Sequence, residues 1–169
     1  MSSRSTDFSG NAIAILQADH HELLERFNEI LRLRHPYDVQ RGWQALCKAV
    51  RRHIAVEAEI FYPAFLDATE DALTHFVASV GHEDIAAEMQ DALVEPPTSA
   101  NFVSRLRALK KVFMHHVSDM ERDGGMFDEA RRSTMDHEAI ARLVQAHFDV
   151  AEQAAAIIYR PSAVSINKS

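Results

Sequence analysis

Apolar residues recur at steps of three and four positions along most of the chain, which is the spacing of amphipathic helices. In the first segment, Leu16, Leu23 and Phe27 belong to one such stripe. The pattern predicts five helices, over about residues 11–34, 38–67, 69–94, 100–123 and 133–159. This order of elements favours an all-α chain that folds as an up-down four-helix bundle with an additional C-terminal helix.

Prolines and polar clusters mark the expected ends of these helices. The first break falls at Pro36, and the clearest loop is Glu95–Ser99. Asp38 and Thr69 are the predicted N-caps of the second and third helices. Pro63 is expected to kink or weaken the second helix, because proline lacks the N–H that a helix interior uses.

These boundaries divide the chain into four parts. Residues 1–10 are predicted to be a flexible N-terminus, and residues 11–132 are predicted to form the four-helix bundle. Residues 133–160 are expected to form a helix that packs on the bundle or on a partner. Residues 161–169 are expected to be a disordered tail.

The composition excludes several classes of protein. The 169 residues, 47% of them hydrophobic, suffice for one domain with a buried core. The formal net charge of -7 argues against a nucleic-acid binder, which would show a basic face. Cys47 is the single cysteine, so an internal disulfide and a zinc cluster of thiolates are both excluded. Because no apolar stretch reaches about 18 residues, we expect a soluble, cytoplasmic protein that does not contact a membrane.

Histidines carry the candidate chemistry, because four of them lie on the apolar stripes of four different predicted helices. His20, His53, His82 and His116 are separated by 33, 29 and 34 residues, a distance of one long helix and a short turn. Counted from the intervening turns at about 1.5 Å per residue, they fall at similar heights in an up-down bundle. We therefore expect the four imidazoles to share one layer of the core.

Two acidic residues accompany these histidines on the buried faces. Glu57 lies one helical turn after His53, and Glu121 lies five residues after His116. A buried carboxylate is unfavourable unless it is paired or binds a metal ion, and bundles build metal sites from such side chains. The candidate metal ligands are therefore His20, His53, Glu57, His82, His116 and Glu121.

Neighbouring histidines leave two of these assignments open. His21 competes with His20, and His115 competes with His116 because Asp119 follows it at helical spacing. His20 and His116 continue the apolar stripes of their helices, so we expect His21 and His115 to be solvated.

The segments around these residues resemble the hemerythrin-like family, also called the HHE cation-binding domain. The resemblance covers about residues 12–130, and its most specific part lies in the second helix. The matching segments are Ala18–Glu22, His53–Pro63, His82–Glu83, His115–Glu121 and Met126–Phe127.

The resemblance implies a non-haem di-iron centre inside an up-down four-helix bundle, with two iron ions joined by an oxo or hydroxo bridge and by carboxylates. On this pattern Glu57 and Glu121 would be the bridging carboxylates. The terminal ligands would be His20, His53, His82 and His116. Imidazole and carboxylate ligands without a thiolate are also compatible with manganese or zinc. The implied small-molecule partners are dioxygen, nitric oxide or peroxide.

One position departs from the family's pattern. Full hemerythrins have a second histidine one turn from the ligand of the third helix, whereas the two candidate positions here are Ala78 and Ala86. The resemblance then implies a coordination position left to water, to an open site or to a neighbour such as Glu83. An open position favours redox chemistry or sensing over stable oxygen carriage.

Three functional hypotheses follow. The first is a di-iron protein that binds oxygen or nitric oxide, or handles iron, in a stress response or in sensing. The second is a di-metal oxidase or peroxidase. The third is a helical interaction module, metal-free or mononuclear, that acts through its fifth helix, which is also the candidate contact of a homodimer.

Overall fold

A computed structural model describes residues 11–158 of the chain. Helices make up most of this part, and no strand occurs within it. The helices are α1 (Ala12–Arg32), α2 (Pro36–Val56), α3 (Tyr62–Thr69), α4 (Ala72–Leu93), α5 (Ala100–Glu121), α6 (Met126–Arg132) and α7 (His137–Ile158). A π-helical turn, Glu57–Phe61, joins α2 to α3 without a break. The predicted flexible N-terminus (1–10) and disordered tail (161–169) lie outside the described residues.

Two N-caps lie at other residues than the sequence pattern predicted. α2 begins at Pro36 and not after Asp38, because proline has a helical φ and needs no N–H partner in the first turn. α4 begins at Ala72, with Asp71 as its N-cap. The predicted cap Thr69 is instead the last residue of α3.

The second predicted helix is continuous but changes its winding in the middle. In the π-helical turn, the N–H of Tyr62 donates to the carbonyl of Glu57, five residues earlier. Pro63 follows directly, and in a regular α-helix its ring would clash with the carbonyl of Glu59. The wider turn relieves this clash, and such turns are frequent at functional sites. Pro63 therefore changes the winding next to Glu57 without ending the helix.

The helices α1, α2, α4 and α5 form an up-down four-helix bundle in which α1 contacts α2 and α5, and α4 contacts α5. The additional helix α7 packs on α1, on α2 and on the π-helical turn. It contributes Ala141, Val144 and Phe148 to the buried core. The predicted all-α fold, a four-helix bundle with an additional C-terminal helix, is confirmed.

The short helix α6 was not predicted, because seven residues give too little periodicity to be recognised. Its Met126, Phe127 and Ala130 are buried. It fills the space between the end of α5 and the π-helical region, where it contacts α3, α4 and α5. None of the helices over 11–158 combines the length and apolar character that a membrane crossing requires.

The core consists of two apolar clusters separated by one polar layer. The first cluster includes Ile13, Leu16, Phe61, Phe65, Met120 and Phe127. The second includes Leu23, Phe27, Leu46, Ile85, Leu109 and Phe113. On each of the four bundle helices, one buried histidine lies between the residues of the first cluster and those of the second. Apolar side chains therefore close the histidine layer on both sides.

Candidate metal centre

Four buried imidazoles meet in the polar layer between the two apolar clusters. The ring centroids of His20 and His53 are 4.8 Å apart, and those of His82 and His116 are 4.9 Å apart. The centroid of His116 also lies 5.6 Å from that of His20 and 5.8 Å from that of His53. The exposed fractions of the four residues range from 0% to 7%. The four helices therefore do bring these histidines to one level.

Glu57 lies completely buried among the four imidazoles. Its Oε1 is 3.3 Å from Nε2 of His20, and its Oε2 is 3.2 Å from Nε2 of His116. The same Oε2 is 3.0 Å from Nε2 of His82 and 3.5 Å from Nε2 of His53. The inner nitrogens of all four histidines thus surround one carboxylate.

The donor atoms at this point lack partners within the described part of the chain. One ligand atom from each of His20, His53, Glu57 and His116 lies within 4.8 Å of the others. The three Nε2 atoms and Oε1 of Glu57 are buried without a hydrogen-bond partner. Each unsatisfied buried polar group costs about 1–3 kcal/mol, so four at one point are strongly unfavourable. A metal cation would satisfy all four, and imidazole with carboxylate is a donor set that binds one.

The outer nitrogens of two of these histidines contact carboxylates. Nδ1 of His20 lies 2.7 Å from Oε1 of Glu121, and Nδ1 of His53 lies 2.9 Å from Oδ2 of Asp19. Arg52 donates through Nη2 to Oδ1 of Asp19 at 2.8 Å. When Nδ1–H donates to a carboxylate, the lone pair of Nε2 faces inward, as a metal ligand requires.

Glu121 lies at a different place from the other candidate ligands. Its carboxylate contacts the outer nitrogen of His20, and its side chain is 30% exposed. It is not one of the four residues whose ligand atoms converge. Its predicted role as a bridging ligand stays a prediction, and in this structure the side chain orients His20.

The structure separates the histidines that competed in the sequence. His21, next to His20, is exposed, and so is His115, next to His116. The side chain of His115 is 80% exposed, and its Nε2 lies 3.4 Å from Oδ2 of Asp119. His21 and His115 therefore lie outside the histidine layer.

Tyr62 is a member of the site that reasoning from residue types missed. Its ring stacks on His82, with centroids 4.9 Å apart and planes inclined by 15°. Its hydroxyl donates to Oε2 of Glu57 at 3.1 Å and lies 3.0 Å from Nε2 of His82. The signal in the sequence was its place five residues after Glu57, directly before Pro63. Only the π-helical turn brings the phenol to the same side of the helix as the carboxylate.

The two alanines near His82 differ in their surroundings. Ala78, one turn before His82, is buried at 6% exposure and belongs to the first apolar cluster, which also contains Tyr62. Ala86, one turn after His82, is exposed. Glu83, considered as a replacement ligand, is exposed as well. The phenol of Tyr62 is the polar group that approaches His82 from this side.

Burial and ionic contacts change the pKa values in this layer in opposite directions. Burial alone would lower the pKa of His20, but contacts with Glu121 and Glu57 outweigh it and raise this pKa from 6.5 to about 9. Burial prevails at His116, where the pKa falls from 6.5 to about 4. Burial alone would raise the pKa of Glu57, but the surrounding imidazoles hold it well below its usual range. Burial, together with the neighbouring Glu57, raises the pKa of Tyr62, so its phenol stays protonated.

A buried layer of histidines around one carboxylate in a four-helix bundle defines the class of a bundle metal protein. A family model described as the Hemerythrin HHE cation binding domain matches residues 11–124. The chain therefore belongs to the hemerythrin HHE cation-binding domain family, as the resemblance predicted. The cluster of His20, His53, Glu57 and His116 has the composition and convergence of a metal site.

A comparison with solved structures supports the same fold. The chain is similar to a Hemerythrin HHE cation binding domain-containing protein, the Rv2633c homolog from Mycobacterium kansasii, with a TM-score of 0.69 and 17% identity. The match covers 90% of this chain and 93% of that chain, so it includes more than the four-helix bundle. Among curated proteins, none matches the chain.

We expect the metal-free protein to be most stable near pH 6.5. The folded chain keeps a proton on His20 up to about pH 9, so this contribution is complete below pH 6.5 and is lost as pH rises through 9. The unfolded chain takes up a proton at His116 below pH 6.5, and the folded chain does so only below about pH 4. Stability therefore also decreases as pH falls through that interval. Urea unfolding at a series of pH values measures the decrease in stability on both the acidic and the alkaline side of this maximum.

The alkaline side of this profile can be assigned to one residue. His20→Gln removes the group with the raised pKa, so we expect the loss of stability toward pH 9 to become smaller. His21→Gln changes the exposed neighbour and serves as the control. An alkaline loss that is the same in His20→Gln as in the unchanged protein would contradict the assignment.

We expect Asp19→Asn to weaken metal binding by roughly 10- to 100-fold, the usual effect of removing the hydrogen-bond partner of a metal-binding histidine. The substitution removes the negative charge that holds Nδ1–H of His53 and pairs with Arg52. Competition with a chelator of known affinity measures the change. Asp38→Asn, at an exposed position of the first turn of α2, is the matched control. Equal affinities of the two variants would contradict the role given to Asp19.

Proposed function

We propose that this protein is a non-haem di-iron protein that binds dioxygen or nitric oxide, or handles iron, in a stress response or in sensing. The observation that carries the proposal is the convergence of inner nitrogens from four helices on the buried carboxylate of Glu57. Membership of the HHE cation-binding domain family supports a cation at this point.

The proposed metal ligands come from all four bundle helices and from the π-helical turn. Glu57 is the proposed carboxylate between the two metal positions, because both of its oxygens face imidazole nitrogens. Glu121, in its present conformation, would act on His20 and not on the metal, and its side chain would have to rotate to bridge. The proposed histidine ligands are His20, His53, His82 and His116.

The donor set supports iron and is also compatible with manganese or zinc. Imidazole and carboxylate bind all three metals, whereas thiolate ligands would favour softer metals or clusters. Cys47 is buried in the second apolar cluster and does not belong to the converging group. Burial raises the pKa of its thiol to about 11, which disfavours the thiolate that binds metals.

The surroundings suit an uncharged small ligand. Bound iron would supply a position where dioxygen or nitric oxide binds reversibly or accepts electrons. Phe113 on one side and Phe127 on the other lie within 6.1 Å of the His20 ring, centroid to centroid. These side chains exclude bulk water, which would otherwise compete with a weakly polar ligand.

We expect Glu57→Gln to lose iron, because it removes the only carboxylate among the four converging residues while keeping their shape. Metal analysis should give two irons per chain for the unchanged protein and few or none for the variant. The near-ultraviolet absorption of a ligand-bridged iron pair should disappear with them.

Glu59→Gln is the matched control for this experiment. Glu59 lies two residues away in the same π-helical turn, but it is exposed. Iron binding that Glu59→Gln retains and Glu57→Gln loses supports the proposed centre. An unchanged protein that stays colourless and iron-free after expression in iron-rich medium would refute the proposal and favour the interaction module.

A second candidate function, turnover of peroxide by the same centre, is supported by Tyr62. Its phenol stays protonated and donates a hydrogen bond to Glu57 inside the layer, so a hydrogen-bond donor is already in place beside the proposed ligands. We expect Tyr62→Phe to slow peroxide consumption by roughly 100-fold, the usual effect of removing one hydrogen-bond donor that stabilises developing negative charge, with iron content unchanged. An iron-loaded protein with no peroxide turnover would favour the binding function. Turnover that Tyr62→Phe leaves unchanged would exclude a role of the phenol in the reaction.

The partner and the location in the cell remain predictions. α7 exposes Leu143 at 55% and Val150 at 66%, one above the other on its outer side. Exposed apolar residues of this kind are compatible with the predicted homodimer contact through the C-terminal helix. Sedimentation of the purified protein would test it.

A further inference from the structure

A pocket of about 170 Å³ opens between α4, α5 and the turn that precedes α6. Among its lining residues, Leu73 and Val77 are exposed, whereas Ala78, His116 and Met126 are buried, and Gly81 lies next to His116. We call this space the access pocket. Its volume is comparable with that of the roughly 150 Å³ apolar cavity that takes up benzene or xenon, so a diatomic molecule fits easily.

Gly81 determines how deep the access pocket reaches. A Cβ atom at this position would lie only 3.3 Å from Nδ1 and 3.7 Å from Cβ of His116. Glycine inside a helix costs about 1 kcal/mol relative to alanine, and Gly81 lies in the middle of α4. The missing side chain leaves one edge of the His116 imidazole uncovered toward the pocket.

The outer nitrogens of the histidine layer therefore differ from one another. Nδ1 of His20 contacts Glu121, and Nδ1 of His53 contacts Asp19. Nδ1 of His116 instead lies 3.3 Å from the position that a Cβ atom of residue 81 would take, and His116 lines the access pocket. Carboxylates thus hold the imidazoles of α1 and α2, whereas the imidazole of His116 on α5 borders the access pocket.

The remaining pocket walls indicate which molecules can use it. Leu73, Val77, Val112 and Met126 make most of the surface apolar. The charged lining residues are Asp84, Asp119 and Arg122, of which Arg122 lies 3.8 Å from Asp119, so the lining carries a net negative charge. An anion would meet repulsion here, whereas a small uncharged molecule would not. A second pocket, at the end of the bundle near Ile30 and Phe102, is lined by no histidine.

We propose that the access pocket is the route by which small uncharged molecules such as dioxygen or nitric oxide reach the histidine layer, with Gly81 and Val77 controlling passage. The role of the route rests on the proposed di-iron function. The entry of dioxygen into the pocket does not rest on that function, because it can be measured in the metal-free protein.

The first experiment uses the metal-free protein and dissolved dioxygen under pressure as the probe. Dioxygen is paramagnetic, so it speeds the relaxation of methyl protons that line any space it enters. We expect enhanced relaxation at the methyl groups of Ala78, Met120 and Met126 in the unchanged protein. In Gly81→Ala and in Val77→Trp we expect this enhancement to fall to the level of methyl groups in the second apolar cluster.

Two control variants match these substitutions. Gly42→Ala makes the same change in a helix away from the layer, where the added Cβ would meet Ile30 at 3.0 Å. Val103→Trp makes the same change at a residue of similar exposure, 41% against 46% for Val77. Both controls should retain the enhancement. Because Val77 is an exposed residue of the pocket lining, Val77→Trp decides the outcome if Gly81→Ala disturbs the packing of His116.

The second experiment uses the iron-loaded protein and nitric oxide. In Val77→Trp we expect the bimolecular rate constant of binding to fall by about tenfold, equivalent to a barrier higher by about 1.4 kcal/mol. Iron content and the amount of nitric oxide bound at saturation should not change. Val103→Trp should bind at the rate of the unchanged protein.

The outcomes separate the route from the proposed function. If dioxygen does not speed relaxation at the methyl groups of Ala78, Met120 and Met126, the claim that it enters the access pocket is overturned. The same holds if the control variants lose this enhancement as fully as Gly81→Ala and Val77→Trp do. Normal enhancement with a nitric oxide binding rate unaffected by Val77→Trp overturns the route. A protein that binds no iron but shows the expected relaxation pattern refutes the di-iron function and leaves the dioxygen pocket standing.

Discussion

The buried carboxylate of Glu57 is the group on which the rest of the structure depends. A carboxylate at 0% exposure is stable only when cations or hydrogen-bond donors surround it. Here the surrounding groups are the phenol of Tyr62 and imidazoles from four different helices. Every bundle helix must therefore keep its position along the axis. The two apolar clusters stabilise that arrangement and keep the local dielectric low, which strengthens each polar contact in the layer.

The additional helix α7 supports this layer through a chain of contacts. The guanidinium carbon of Arg52 lies 4.4 Å from the ring centroid of Phe148 on α7. Arg52 donates to Asp19, and Asp19 contacts the outer nitrogen of His53. A contact of α7 thus reaches a proposed metal ligand through two side chains. The helix that the sequence predicted to pack on the bundle or on a partner is therefore part of the structure that orients the proposed centre.

The two sides of the histidine layer are built differently, and this difference connects the proposed function with the access pocket. Glu121 and Asp19 hold the imidazoles of α1 and α2 in one orientation, as metal ligands require. Toward α4 and α5, the small residues Ala78 and Gly81 leave space next to His116. The imidazoles of α1 and α2 are thus held rigidly, whereas the space next to His116 leaves room for a small molecule.

The sequence by itself determined the long helices, their order and the common level of the histidines. It also favoured His20 over His21, because helical periodicity is local and indicates which side of a helix is buried. Only the tertiary structure decided the neighbours of each functional group. Asp19 meets His53 across two helices, Glu121 turns to His20, and the phenol of Tyr62 reaches Glu57 through the π-helical turn. No spacing of residues encodes such contacts, since they depend on how helices pack and where their winding changes.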